Sequence, residues 1–276
     1  MAYNVVGYDL WPLVRFRLGV SNKIVVFALV IKGLIVMMKY LLVLVSLCCG
    51  LVLSAQEPQP LLTPEQMPNA IRFLPPPPDT LSDAFAYDKA QYRWGKEQRK
   101  DSARCAIAVR DADWRMESIS HEFSEPFGMT ISERTTPAIY RMLYVALITA
   151  DQMSRLPKKE YRRIRPYVYY DEPTTYPPDE EELRHNGSYP SGHTIEGWCM
   201  ALLLSELNPE RADTILARGY MYGQSRVIAG YHWQSDVDAG RLVASAAVAR
   251  LHADKHFEKL MRKARREYRC LLRRKR

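Results

Sequence analysis

From about Ser82 onward, apolar residues return every three or four positions among Ala, Leu, Glu, Arg and Met, and no stretch alternates strictly between apolar and polar. Return at that interval marks amphipathic helix, whereas alternation marks strand. The pattern predicts helices over 82–109 with a break inside it, 115–123, 133–155, 158–164, 193–206, 209–229 and 234–269 with a bend inside it. Asn208-Pro209-Glu210 makes a good helix start, with Asn as cap and Pro in the first turn. No internal repeat is visible. The fold class is all-α, a single helical domain.

Outside that region the pattern changes twice. At 37–60 the chain reads "MMKYLLVLVSLCCGLVLSAQEPQP", with Lys39 ahead of an apolar run from Tyr40 to Leu53 and small residues at Ser54 and Ala55. That is the layout of a secretory signal peptide at about 37–55, cleaved after Ala55 and starting from Met37 or Met38. The competing reading makes 24–53 one uncleaved membrane anchor, which Lys32 and Lys39 interrupt. Residues 56–80 are polar and end in "LPPPPDT", the composition of an extended arm lying on a domain surface. The chain thus divides into an N-terminal extension and signal peptide at 1–55, a proline-rich arm at 56–80, a helical domain at 81–258 and a basic C-terminal tail at 259–276.

The 276 residues carry 39 Lys+Arg against 31 Asp+Glu, a formal charge of +8 that favours anionic partners. Much of the excess sits in "KLMRKARREYRCLLRRKR", so the rest of the chain is nearer neutral. In that tail Ala264, Tyr268 and Leu271 recur at helical spacing opposite Arg and Lys. This predicts a basic amphipathic helix that docks on the domain or touches an anionic membrane peripherally. Cys48 and Cys49 fall inside the signal. The remaining Cys105, Cys199 and Cys270 form neither a disulfide framework nor a metal-ligand spacing.

Chemistry is concentrated in three places. "PSGHT" precedes "IEGWCMALLLSEL", which sets Ser191 and Gly192 at a helix start with unpaired backbone N–H groups and the positive end of the helix dipole. Ser191 adds a hydroxyl, Gly192 permits close backbone approach, and His193 stands at the rim. In "KKEYRRIRP", Lys158 and Arg165 are seven apart, two turns on one helical face, while Lys159, Arg162 and Arg163 read as solvated charges. In "RVIAGYHWQSD", His232 and Asp236 are four apart, so the carboxylate can hold one ring nitrogen and leave the other free, and Arg226 supplies a third cation. Each piece alone also fits an ordinary capped or salt-bridged helix. Together, three cations, a helix start and two histidines suit a phosphoryl group, with the cations in the place a metal would take. No carboxylate set suits Mg²⁺ and no His or Cys set suits Zn²⁺.

These stretches carry a resemblance. "KKEYRRIRP", "PSGH" and "SRVIAGYHWQSD" match, in order, the Lys-x6-Arg-Pro, Pro-Ser-Gly-His and Ser-Arg-x5-His-x3-Asp pattern of the type 2 phosphatidic acid phosphatase (PAP2) superfamily. More closely, "GSYPSGHT", "GYHWQSDVDAGR" and the upstream "LLTPEQMPNAIRFLPPPPDT" resemble the bacterial class A non-specific acid phosphatases, over about 60–255. The resemblance implies a helical-bundle domain shared with the vanadium haloperoxidases, and hydrolysis of phosphate monoesters through a phosphohistidine. It makes His232 the nucleophile, Asp236 its orienting group and His193 the general acid. Lys158, Arg165, Ser191, Gly192 and Arg226 bind the phosphoryl oxygens. No cofactor or metal is expected, and the partners are small phosphate-ester substrates with no nucleic acid required. Phosphate transfer to other alcohols and assembly as a homo-oligomer stay open. The implied location is periplasmic or secreted. Ala229 departs from the family, standing where many relatives have a cysteine. Alternatives using the same residues are a membrane-lipid phosphatase and a vanadium haloperoxidase; from a different class, the basic tail suits a polyanion-binding protein.

Overall fold

The computed structural model describes residues 27, 29–41 and 58–275. They fall into two compact units, Met1–Glu57 and Pro58–Arg276. In the first, positions 29–41 are helical, and the expected signal peptide at 37–55, with its cleavage point at Ala55, lies largely outside the described residues. No helix among the described residues is long and apolar enough to cross a membrane.

The second unit begins with the arm. Its prolines prevent long helix, and only short turns form, a 3-10 turn at Pro64–Gln66 and α1 (Ala70–Phe73), the latter capped by the Asn69 carboxamide. Its apolar residues Leu62, Met67, Ala70 and Leu74 are nonetheless buried. The Leu61 amide donates to Thr149 Oγ1 at 2.9 Å, the Gln152 side chain donates to the Leu62 carbonyl at 3.1 Å, and the Tyr189 hydroxyl donates to the Pro75 carbonyl at 2.6 Å. The arm is therefore fastened to the domain on both sides of α1.

Next come α2 (Asp83–Gln98), capped by Ser82, and α3 (Ser102–Arg110), capped by Asp101. The break expected inside 82–109 is the turn between them. After α4 (Met116–Phe127) the chain reverses at Gly128 in the left-handed conformation and enters α5 (Pro137–Asp151). The short helices α6 (Arg155–Tyr161), α7 (Pro166–Tyr170) and α8 (Glu180–Arg184) follow, separated by irregular chain. Four long helices complete the domain with α9 (Gly192–Leu207), α10 (Ala212–Ala229), α11 (Gln234–His252) and α12 (Lys255–Lys275). No strand occurs among the described residues, so the fold is all-α.

Apolar residues occupy every side of α9, with Ile195, Cys199, Met200, Leu203 and Leu204 all fully buried. A helix with no polar side has no face to give to water and becomes the centre of the bundle. Helices α10, α11 and α5 surround it, and α12 packs on α5. The tail is part of this packing. Phe257, Met261 and Ala264 are fully buried and Tyr268 nearly so, and the Glu267 carboxylate accepts from the Ala138 and Ile139 amides at the start of α5.

Candidate active site

The three chemical stretches meet at one end of α9, by routes the spacing did not foretell. Lys158 and Arg165 do not share a helix. The helix expected at 158–164 is α6, which ends at Tyr161, with Arg162 left-handed at φ 44°. Arg165 is extended (ψ 151°) as the residue before Pro166, because a proline ring excludes helical backbone from its predecessor. The irregular chain between them then folds both cations toward α9.

Ser191 is the N-cap of α9, its hydroxyl oxygen accepting from the Thr194 amide at 3.3 Å and the Thr194 hydroxyl at 2.9 Å. Its own hydroxyl proton is left to donate. The Ser191 amide, expected to be free, instead donates to the Asp236 carbonyl at 3.0 Å, tying this turn to the start of α11. The unpaired amides are those of Gly192 and His193, the first two of the helix. A methyl group at Gly192 would stand 2.9 Å from Asp151 Oδ1, closer than side-chain carbons come, and 3.6 Å from Lys158 Nζ, in ordinary contact, so a side chain there would have to displace the Asp151 carboxylate.

His232 lies just outside α11 rather than within it. Gly230, at φ 91°, ends α10 and turns the chain back so that the His232 amide donates to the Arg226 carbonyl at 3.3 Å. Trp233 caps α11, and Asp236 is its third residue, accepting from the Trp233 amide at 2.8 Å. Asp236 Oδ2 is 3.5 Å from His232 Nδ1, a charge contact but no hydrogen bond. On the other side of the ring, Arg165 Nη1 is 3.1 Å from Nε2. A guanidinium has no lone pair to offer, so Nε2 must be the accepting nitrogen and the ring proton sits on Nδ1, facing Asp236.

Asp236 is held less by His232 than by Arg163, which sequence reasoning had placed in solvent. Arg163 is buried between two carboxylates, 2.5 Å from Asp236 and 2.6 Å from Asp88, and also donates to Ser235 at 2.7 Å. Asp88 in turn accepts from the Ser235 amide and hydroxyl. One signal for Asp88 was available. It falls between Phe85 and Tyr92 on the buried stripe of α2, where a carboxylate without a partner would be costly.

His193 donates from Nε2 to the Ala112 carbonyl at 3.0 Å, which leaves Nδ1 toward the cavity it lines with Lys158 and Gly192. Ala112 follows Asp111, a fully buried carboxylate bonded to Arg218 and to the Ser225 hydroxyl. No motif marked that support.

Arg226 completes the site. It is fully buried and stacks on Tyr231 with 4.6 Å from its guanidinium carbon to the ring centre, yet Nε, Nη1 and Nη2 all lack a hydrogen-bond partner. A buried charge without protein hydrogen bonds is unfavourable, and a guanidinium left so beside two other cations is suited to an anionic ligand.

The cations also set the protonation of the site. Burial, then the Arg165 charge, brings the Lys158 ammonium down to about 8, and burial with Arg226 nearby brings Arg165 down to about 10, so both stay charged in acid. Burial followed by Arg165, Arg226 and Lys158 holds His232 well below the ordinary histidine range. It is therefore neutral in mildly acid solution, with its Nε2 lone pair accepting from Arg165 rather than carrying a proton. Burial and Arg226 lower His193 in the same direction, opposed by the bond to Ala112.

Among known proteins, a model of the PAP2 superfamily matches residues 139–259. Non-specific acid phosphatases of Providencia stuartii and Salmonella typhimurium are 47% and 43% identical to the chain, over 72% and 83% of it and 81% and 92% of their own lengths. An acid phosphatase of Zymomonas mobilis is 40% identical over 71% of the chain and 74% of its own length.

Proposed function

The chain belongs to the PAP2 superfamily and to its non-specific acid phosphatases, and from that premise we propose that it hydrolyses phosphate monoesters by a metal-independent route through a phosphohistidine on His232. It is a phosphoric monoester hydrolase. The observation that carries the mechanism is the unpartnered guanidinium of Arg226, a buried fork of donors of the kind that takes two oxygens of one phosphoryl group.

In this reading the phosphoryl oxygens take hydrogen bonds from Arg226, Arg165, Lys158, the Ser191 hydroxyl and the Gly192 and His193 amides. Arg165 shifts from Nε2 to the substrate, freeing the His232 lone pair. Nε2 attacks phosphorus, the N–P bond forms, and the P–O bond to the alcohol breaks. His193, protonated in acid once the bound phosphate has offset the surrounding cations, passes the Nδ1 proton to the departing oxygen. Water then attacks the phosphohistidine, gives a proton to His193, and releases phosphate with both histidines restored. Asp236 faces the Nδ1 proton and offsets the charge that ring acquires, while Arg163 and the Trp233 amide keep the carboxylate in place.

Sequence features support a periplasmic or secreted location, through the leader-like segment at 37–55. The test is quenching in alkaline detergent during turnover of ³²P-labelled ester in EDTA, followed by acid or base treatment of the isolated protein. Acid-labile, base-stable label on the parent protein and none on His232→Ala is the expected result; absence of label from both, with turnover intact, removes the covalent route.

A further inference from the structure

Glu196 is a carboxyl in the catalytic cavity to which the mechanism assigns no task. It stands one turn beyond Gly192 and three residues beyond His193, on the face of α9 that both present to the phosphoryl site. With them it lines a cavity of about 190 Å³, beside Lys158 and Asp151, opposite Asp179, Glu182 and Trp114. It makes neither a hydrogen bond nor an ion pair with any described residue. The charged and titratable groups facing it are Asp151 from α5, Lys158 from α6, and Arg226 and Tyr222 from α10, with His193 and Cys199 on its own helix.

An anion site has use for Lys158, and with the Asp151 carboxylate already near that ammonium a second ionised carboxylate would draw more of its charge away from the ligand. Given the phosphatase reading above, on which this rests, we propose that Glu196 sets the alkaline limit of anion binding. Neutral, it leaves the Lys158 ammonium to the phosphoryl group; ionised, it competes for that ammonium and repels the substrate. Burial, and the Asp151 charge after it, push the Glu196 carboxyl well above the usual range against the opposing pull of Lys158 and Arg226. The sign follows. The proton is held in acid and lost as pH rises, and the Lys158 proton is lost at about 8, so both losses remove net positive charge from the anion site.

Sulfate is a suitable probe because it remains a dianion from pH 5 to 7.5, so any change in its affinity belongs to the protein. Its binding and kcat/KM for p-nitrophenyl phosphate are measured at both ends of that range on the full chain and on Glu196→Gln and Glu196→Asp. Between pH 5 and 7.5 both quantities should fall in the parent. In Glu196→Gln the fall should be smaller by at least about fivefold, the effect of a titration displaced by most of a pH unit. Glu196→Asp keeps a carboxyl and should follow the parent. Matching profiles for the parent and Glu196→Gln, or a parent sulfate affinity that does not fall, overturn the proposal; Glu196→Met serves in the same comparison if the Gln variant does not fold. Lack of ester hydrolysis by the parent would defeat the phosphatase reading instead, and the sulfate profiles would still judge Glu196.

Discussion

At Arg226 ligand binding and folding stability oppose each other. Its three unpartnered nitrogens serve an incoming anion and burden the empty protein. Replacing a buried, uncompensated charge with an apolar side chain of similar length removes that burden. Arg226→Met is expected to raise folding stability by about 1–3 kcal/mol while lowering kcat/KM by about 100-fold or more. A urea titration beside a phosphatase assay checks both halves, and lower stability in the variant would show that the guanidinium is compensated. The two histidines separate by leaving group. His232→Ala should lose turnover on every ester. His193→Ala should lose orders of magnitude more on alkyl phosphates, whose alkoxide needs a proton, than on p-nitrophenyl phosphate, whose phenolate leaves without one. Single-turnover bursts read this difference, because His193 also serves the water step and steady-state rates mix the two. Equal losses in the burst rate would remove His193 from the acid role.

Among the elements, α12 shows how a strongly basic segment can belong to a core. Its charges face solvent while Phe257, Met261, Ala264 and Tyr268 fill the space beside α5. Tyr268→Ala should cost about 3 kcal/mol, as large-to-small core changes do, and deleting 262–276 should lower the urea midpoint further by uncovering α5. An unchanged midpoint in the deletion would make the segment peripheral. The bend expected within 234–269 is the turn from α11 to α12. His252 spans it, 2.8 Å from both Glu206 on α9 and Glu258 on α12. Burial acts to lower this imidazole, but the bonds to Glu258 and Glu206 outweigh it and raise it. A raised folded value means that the stabilisation is complete below the ordinary histidine range and is lost as pH rises through the folded value. His252→Gln should therefore abolish part of the decline in stability between pH 6 and 8, and urea midpoints across that range measure it.

For the whole molecule, the proposed reaction places its positive charge in side chains. Activity on phosphate monoesters is expected to survive EDTA, and vanadate is expected to inhibit by adopting the five-coordinate geometry of the transition state. Loss of activity in EDTA with recovery on adding a divalent ion would overturn the metal-independent reading. The charge of +8 is distributed in keeping with this. Lys158, Arg165 and Arg226 point inward at one end of α9, whereas much of the tail's charge faces solvent on the outside of α12 and is not required for a phosphoryl site.

Helix positions were legible because apolar spacing acts over a few residues and is satisfied within one helix; the start read at Asn208 is instead a 3-10 turn, Pro209–Arg211, ahead of α10, and the Asn208 side chain donates to the Phe127 carbonyl. The reacting residues were legible because His232, His193 and their cations lie in short motifs whose side-chain chemistry already implies an anion. What spacing alone misjudged was how the motifs are joined. Lys158 and Arg165 converge through irregular chain, since Pro166 excludes helix at Arg165, and the Ser191 amide is spent on Asp236. Arg163, Asp88, the Ala112 carbonyl and Glu196 carried no motif. Their importance comes from partners or neighbours supplied by other helices, and burial between such partners turns a solvated arginine into a support for the site. Local interactions along the chain therefore determined the helices and the reactive groups. Only the packing of α2, α5, α9, α10 and α11 decided which charges are paired, which are left open to a ligand, and hence that burial and the surrounding cations hold both histidines below their ordinary range.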